Sequence, residues 1–124
     1  MPHARYDCNE GCPVEACLGV IGGKWKGVIL YHLLSRTMRF NELRRLMPDI
    51  TQRMLTKQLR ELEADGLIAR KVYAQVPPKV EYSMTDYGKT LAPVVHALRA
   101  WGAEHMKRLS QEDSRMKRQG LGSV

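Results

Sequence analysis

The chain has no apolar run approaching the ~20 residues that a membrane-spanning helix requires. Lys, Arg, Gly or His interrupts each hydrophobic stretch well before that length, and no signal-like leader is apparent. Internal repeats and low-complexity tracts are absent, which excludes solenoid and fibrous architectures. Cysteine is sparse, at three residues. An odd number of thiols without an export signal predicts a reducing, cytoplasmic location and leaves at least one thiol able to react. His3, Cys8, Cys12 and Cys17 offer four metal-ligand atoms, but their spacing lacks a second CxxC knuckle, so neither a metal nor another cofactor is expected. Gly22-Gly23-Lys24 superficially resembles the end of a phosphate loop. Leu18 stands where the first glycine of that loop belongs, and Trp25 replaces the hydroxyl residue that would hold magnesium. His32, His96 and His105 fall at no ligand spacing, and no base lies near Cys12 in sequence. No enzymatic activity is expected.

Against these absences stands a concentrated positive charge. The chain of 124 residues carries a net charge of +7. Residues 24–80 hold twelve Lys/Arg against five Asp/Glu, an excess equal to that whole net charge. A basic block of this kind suits a phosphate-lined partner, because each neutralised phosphate releases condensed counterions. The length fits one domain, able to bury roughly two-thirds of the surface its unfolded chain exposes.

The pattern of apolar residues divides the chain into short elements. A first helix is predicted over Pro13–Ile21, with proline at a favourable first position and Val14, Cys17/Leu18 and Ile21 at three-four spacing. Gly22-Gly23 ends it. A second helix over 24–34 places Trp25, Ile29 and Leu33 four apart with Val28 and Leu30 beside them. Ser35-Arg36-Thr37 is then expected to be a loop. A third helix is predicted over 41–47, capped by Asn41, with Leu43 and Leu46/Met47 inward and Arg44 and Arg45 outward. Thr51 caps a fourth helix that stops at Asp65-Gly66 and has Leu55, Leu59 and Leu62 as its core stripe. Strands follow at Ile68–Tyr73 and Lys79–Met84, joined by a hairpin loop stiffened by Pro77 and Pro78. Thr85 caps the final helical region, which Pro93 should kink or divide. Beyond it Val94/Val95, Leu98, Trp101, His105 and Leu109 form an apolar stripe, and residues 110–124 are expected to form a flexible tail after a folded domain at 1–109.

Two helices joined by a tight turn, the second with a basic face, followed directly by a hairpin, is the order of a winged helix-turn-helix. The expected fold is mainly α with a small β-hairpin, and the expected partner is double-stranded DNA. On the fourth helix Gln52, Arg53, Thr56, Lys57 and Arg60 share one polar face, which carries no acid before Glu61. A helix inserted in the major groove presents its first turns to base edges while flanking cations hold phosphates. This assigns Thr51, Gln52, Arg53 and Thr56 to base reading and Lys57 and Arg60 to the backbone. Lys79 and Gln75 would reach the neighbouring groove from the wing.

Several ordered blocks carry a family resemblance. Cys12-Pro13-Val14-Glu15, Ile21-Gly22-Gly23-Lys24-Trp25-Lys26, Arg39-Phe40-Asn41-Glu42-Leu43 and Gln52-Arg53-Met54-Leu55-Thr56 are four of them. Leu59-Arg60-Glu61-Leu62-Glu63-Ala64-Asp65-Gly66-Leu67, Pro77-Pro78-Lys79-Val80-Glu81-Tyr82 and Ala100-Trp101 complete the set. Across about residues 12–109 the sequence resembles the HxlR family of bacterial transcriptional regulators. The resemblance implies a MarR-like winged-helix homodimer on a palindromic or pseudo-palindromic operator. Pairing through the N- and C-terminal helices would bury the two apolar stripes outside the helix-turn-helix, at Val14, Leu18 and Ile21 and at Val95, Leu98, Trp101 and His105.

In the resembled family some members sense oxidants or electrophiles with a cysteine matching Cys12. In this sequence Cys12 begins a helix, where unpaired amides and the helix dipole favour a thiolate, although Glu15, Asp7 and Glu10 oppose that effect. A small electrophile or oxidant is thus a candidate effector, with Cys8 as a candidate resolving thiol. Cys17 is expected to pack in the first helix.

Overall fold

The computed structural model describes residues 11–120. His3, Asp7, Cys8 and Glu10 lie outside the described residues, as does the end of the expected tail. The chain divides at Ala92/Pro93 into two compact units, a division that falls inside the 1–109 span read from sequence as one domain.

In the first unit, α1 spans Pro13–Ile21 with Pro13 in its first turn. It closes at Gly22, whose amide donates to Leu18 O at 2.7 Å. Gly23 has φ +82°, a left-handed turn conformation open to glycine at little cost. That turn takes up Lys24 and Trp25, so α2 begins later than the apolar spacing suggests and spans Lys26–Ser35. Ser35 is helical, not the start of a loop.

The two-residue strand β1, Met38–Arg39, follows. The helix α3, Phe40–Leu46, starts one residue before the expected Asn41 cap. Its cap position is Arg39, whose amide donates to Glu42 Oε1 at 2.8 Å. The third residue of the helix thus satisfies the amide of the cap position itself, and Asn41 lies inside the helix and does not cap it. Met47 is buried whereas Leu46 is exposed, so only one of the two expected inward residues points in.

The helix α4, Gln52–Ala64, is capped by the Thr51 hydroxyl, which accepts from Met54 N at 3.0 Å. At its other end Leu67 N donates to Leu62 O and Gly66 N to Glu63 O, with Gly66 at φ +78°. This paired arrangement around a left-handed glycine satisfies carbonyls that the helix end would otherwise leave open. The strands β2, Ile68–Tyr73, and β3, Lys79–Met84, pair antiparallel from Ile68↔Met84 to Tyr73↔Lys79. Because β1 adds to the other edge through Met38↔Tyr82 and Arg39↔Glu81, the hairpin is part of a three-stranded sheet in the order β1-β3-β2. A two-residue strand is too short for alternation to reveal. The short α5, Asp86–Lys89, ends the run of elements before the division.

The core is built from Ile29 and Leu30 of α2, Leu43 of α3, Leu55, Leu59 and Leu62 of α4, and Leu67 and Ile68. Each such side chain stabilises the fold by about 1.5–3 kcal/mol when fully buried. The inward stripe of α4 therefore fixes the opposite, basic face outward.

The second unit contains α6, Ala92–Arg118. Pro93 lies in its first turn, where no helical donor is lost, and the helical region expected after Thr85 is divided just before it, into α5 and α6. The helix runs on past Ser110, where the sequence predicts a tail. Its polar end carries i,i+4 ion pairs, Arg108–Glu112 at 3.6 Å and Asp113–Lys117 at 3.2 Å, of the kind that stabilise an exposed helix. Val94, Leu98, Trp101, His105 and Leu109 lie on one exposed face of α6, with Trp101 and His105 stacked at 5.0 Å between ring centres. No described helix is long and apolar enough to cross a membrane.

Candidate nucleic-acid interface

The burial of Leu55, Leu59 and Leu62 leaves Thr51, Gln52, Arg53, Lys57 and Arg60 exposed, with Thr56 half-buried among them. Two of the four expected base readers already have hydroxyl contacts. The Thr51 oxygen accepts the Met54 amide, and the Thr56 hydroxyl donates to Gln52 O at 2.9 Å. Gln52 and Arg53 make no such local contact and are the more available groups. Arg53, Lys57 and Arg60 form no ion pair within 4.0 Å among the described residues. By contrast, Glu61, at the edge of this face, pairs with Lys26 of α2 at 2.8 Å. The Lys26 ammonium holds the Glu61 carboxyl below the usual carboxylate range, so it stays ionised and turned toward α2. The helix thus presents Arg53, Lys57 and Arg60 to solvent while Glu61 is engaged by α2.

The expected wing cation, Lys79, has partners within the wing. Lys79 pairs with Glu81 at 3.4 Å and lies over the Tyr73 ring at 4.8 Å. Lys71 lies over the same ring at 4.9 Å. The Tyr73 hydroxyl donates to Glu81 Oε1 at 2.8 Å, which together with Lys79 and Arg39 keeps that carboxyl below its ordinary range. Lys79 is therefore partly neutralised within the wing. Gln75 is exposed in the hairpin loop, its amide donating to Tyr73 O, and is separate from the α4 residues.

Arg70 of β2 is the wing residue that the structure joins to α4. It shares a concavity with Gln52, Thr56 and Arg60, opposite Tyr82 in the strand register. Sequence reasoning missed it, although a signal existed. Ile68, Arg70 and Val72 occupy one face by strict alternation, so an arginine between two apolar residues on the strand after the recognition helix was the available sign.

Comparison with known proteins gives this geometry a context. Residues 20–110 match the family model described as HxlR-like helix-turn-helix. The chain belongs to the HxlR family. The HTH-type transcriptional regulator YdeP of Bacillus subtilis (strain 168) is 58% identical over 111 residues, covering 90% of this chain and 87% of that protein. The structure of the redox regulator HypR in its reduced form superposes with a TM-score of 0.75 at 58% identity, over 80% of this chain and 98% of that one. A MarR-family regulator from Porphyromonas gingivalis W83 gives a TM-score of 0.76 at 37% identity, over 81% and 98% of the two chains. This HxlR-family chain is accordingly a helix-turn-helix transcriptional regulator of MarR-like winged-helix fold, in a family of regulators and not of enzymes, with DNA as its partner.

The remaining expected sites lie at the two ends of the chain. Cys12 caps α1 and is buried, and its carbonyl accepts from Ala16 N at 3.0 Å. Cys17 is half-buried, not a core residue. Of the expected pairing surface, Val14, Leu18, Leu98, Trp101 and His105 are exposed. Ile21 and Val95 are not. Both are buried within the chain itself, because three-four spacing marks a helix stripe without saying which of its members the protomer already covers.

Proposed function

We propose that the protein is a cytoplasmic homodimer that reads a palindromic or pseudo-palindromic operator with the outward face of α4. In this reading Gln52 and Arg53 contact base edges, with Thr51 and Thr56 beside them, while Lys57 and Arg60 hold phosphates. Gln75 and Lys79 belong to the wing contact. The observation that carries the reading is the row of cations on α4, without an ion pair among the described residues and held outward by the buried Leu55, Leu59 and Leu62. The exposed residues Val14 and Leu18 of α1 and Leu98, Trp101 and His105 of α6 supply the pairing surface, since exposed apolar groups grouped on one helix face mark an interaction site. A two-fold pair places its recognition helices one turn of DNA apart, roughly 34–36 Å, or a multiple of it.

The test is binding to duplexes from the promoter region upstream of the protein's own gene, compared at two salt concentrations. Arg53→Ala should relax base preference and Lys57→Ala should weaken binding to all sequences alike. If neither change alters binding, the interface lies elsewhere.

Regulation through Cys12 belongs to the same proposal. Its support is the helix-start position of the thiol and the likeness to a redox regulator. Disulfide formation with a second thiol, Cys8 or one from a symmetry mate, would release two protons and two electrons to the oxidant. Diamide should lower operator affinity in the wild type and leave Cys12→Ser unaffected. Unchanged affinity after thiol alkylation would remove the sensor and leave DNA binding standing.

A further inference from the structure

We propose that Arg60 of α4 and Arg70 of β2 together grip a single DNA backbone phosphate in the concavity between recognition helix and wing. This deepens the DNA-binding reading and rests on it. The concavity has a volume of about 420 Å³, and Gln52, Thr56, Arg60 and Glu63 of α4 face Arg70 and Tyr82 across it.

Three observations converge on an anion there. Both guanidinium groups lack an ion pair within 4.0 Å among the described residues, whereas Lys26, Arg36 and Lys79 each have one. Glu63 is the sole carboxylate among the lining residues, so two positive charges face one negative charge and the site retains a net attraction for an anion. Arg70 stands in the middle of β2, opposite Tyr82 in the strand register, and lines the same concavity as Arg60 although the two come from different elements. A guanidinium offers five donors in a planar fork that matches phosphate oxygens, and two such forks from different elements enclose a tetrahedral anion from two sides.

The occupant is a phosphate of the duplex because the same concavity includes Gln52, one of the proposed base readers. A phosphate seated there fixes the depth and register of α4 in the groove, the positioning role that backbone contacts have in DNA recognition. It also ties the wing to the helix through a common ligand, so that the hairpin and α4 engage the duplex as one surface.

The experiment measures the affinity of wild type, Arg60→Ala, Arg70→Ala and the double variant for a fluorescent 30-base-pair duplex of arbitrary sequence, by anisotropy across a salt series. Each single change should weaken binding about tenfold, the order of a charge-assisted hydrogen bond. Because one phosphate is shared, the double variant should lose only about 0.9 from the slope of log affinity against log salt. A loss of about 1.8, the value for two independent phosphates, overturns the shared grip, as does an Arg70→Ala protein that binds like wild type. Thermal melts verify folding, and both arginines are exposed, so the variants should melt as the wild type does. A wild type without salt-dependent duplex binding would defeat the DNA-binding reading itself, an outcome distinct from an unchanged Arg70 variant.

Discussion

The phenol of Tyr73 donates a hydrogen bond to Glu81 across the wing, at 2.8 Å, and its ring also lies beneath the ammonium of Lys79. Acid and cation are thus organised around one aromatic side chain. In a protein that meets a polyanion, the carboxylate of Glu81 both occupies Lys79 and repels the duplex. Glu81→Gln is expected to tighten DNA binding and to steepen its salt dependence by up to about 0.9 in slope, the equivalent of one phosphate contact. Anisotropy titrations at several salt concentrations check this. A weaker complex would mean that the carboxylate's ordering of the wing outweighs its repulsion.

The cap of the recognition helix connects stability to binding. Thr51→Ala removes the acceptor for Met54 N and should cost about 1 kcal/mol, read as a lower Tm, while Thr51→Ser should retain most of it. If Thr51 also reaches a base edge, the Ala variant will lose more affinity than its fall in stability explains.

Gly88 tests the junction behind the wing. A Cβ at this position would run into the backbone carbonyl of Leu67 and meet Met84 Cε at 2.9 Å. Main chain cannot swing aside as a side chain can. Gly88→Ala should therefore destabilise the protein by about 1–3 kcal/mol or more, measured by denaturant titration. Gly102, where an added Cβ meets nothing within 4 Å, serves as the control.

Acid should weaken the fold through three carboxylates. Glu42 is held below the usual range by the Arg39 amide and the Arg36 side chain, Glu61 by Lys26, and Glu81 by the Tyr73 hydroxyl and Lys79. Each value is depressed in the folded state, so the stabilisation is complete above the unfolded value of about 4.3 and is lost as pH falls through the lower folded values. Melting curves recorded from pH 6 downward should show this loss, and Glu61→Gln should make it shallower.

Most of the architecture was legible because it rests on local chemistry. Pro13, Thr51, Gly66 and Thr85 punctuate the helices, and the strands Ile68–Tyr73 and Lys79–Met84 follow alternation and turn residues. What escaped depended on partners that apolar spacing does not reveal, one distant in the chain and one close by. Met38–Arg39 becomes a strand only because Tyr82 and Glu81 lie beside it, and Glu42 displaces Asn41 from capping α3 by reaching back to Arg39 N. The cations of α4 could be assigned from periodicity. Lys79 and Arg70 could not be ranked, because the engagement of one and the availability of the other depend on Glu81, Tyr73 and Arg60, which come from different elements.

The exposed face of α6 leads to a last expectation. Trp101→Glu should convert a concentration-stable dimer into a monomer in sedimentation experiments, with little change in the stability of the protomer, because Trp101 is already exposed in it. A wild type that sediments as a monomer at micromolar concentration would reject the pairing.

Thr85 links segments on both sides of the hairpin. Its hydroxyl lies 2.7 Å from Gly66 O and 3.1 Å from Leu67 O as a donor, and it accepts from Gly88 N at 2.9 Å. The wing is latched at its root, next to the buried Ile68↔Met84 pair, whereas the Tyr73–Glu81 hydrogen bond and the Lys79 contacts that tie its far end lie nearer to solvent. The root is the more deeply buried end, so amide protons should exchange with solvent in a gradient, fastest near Tyr73 and Lys79 and slowest beside Met84.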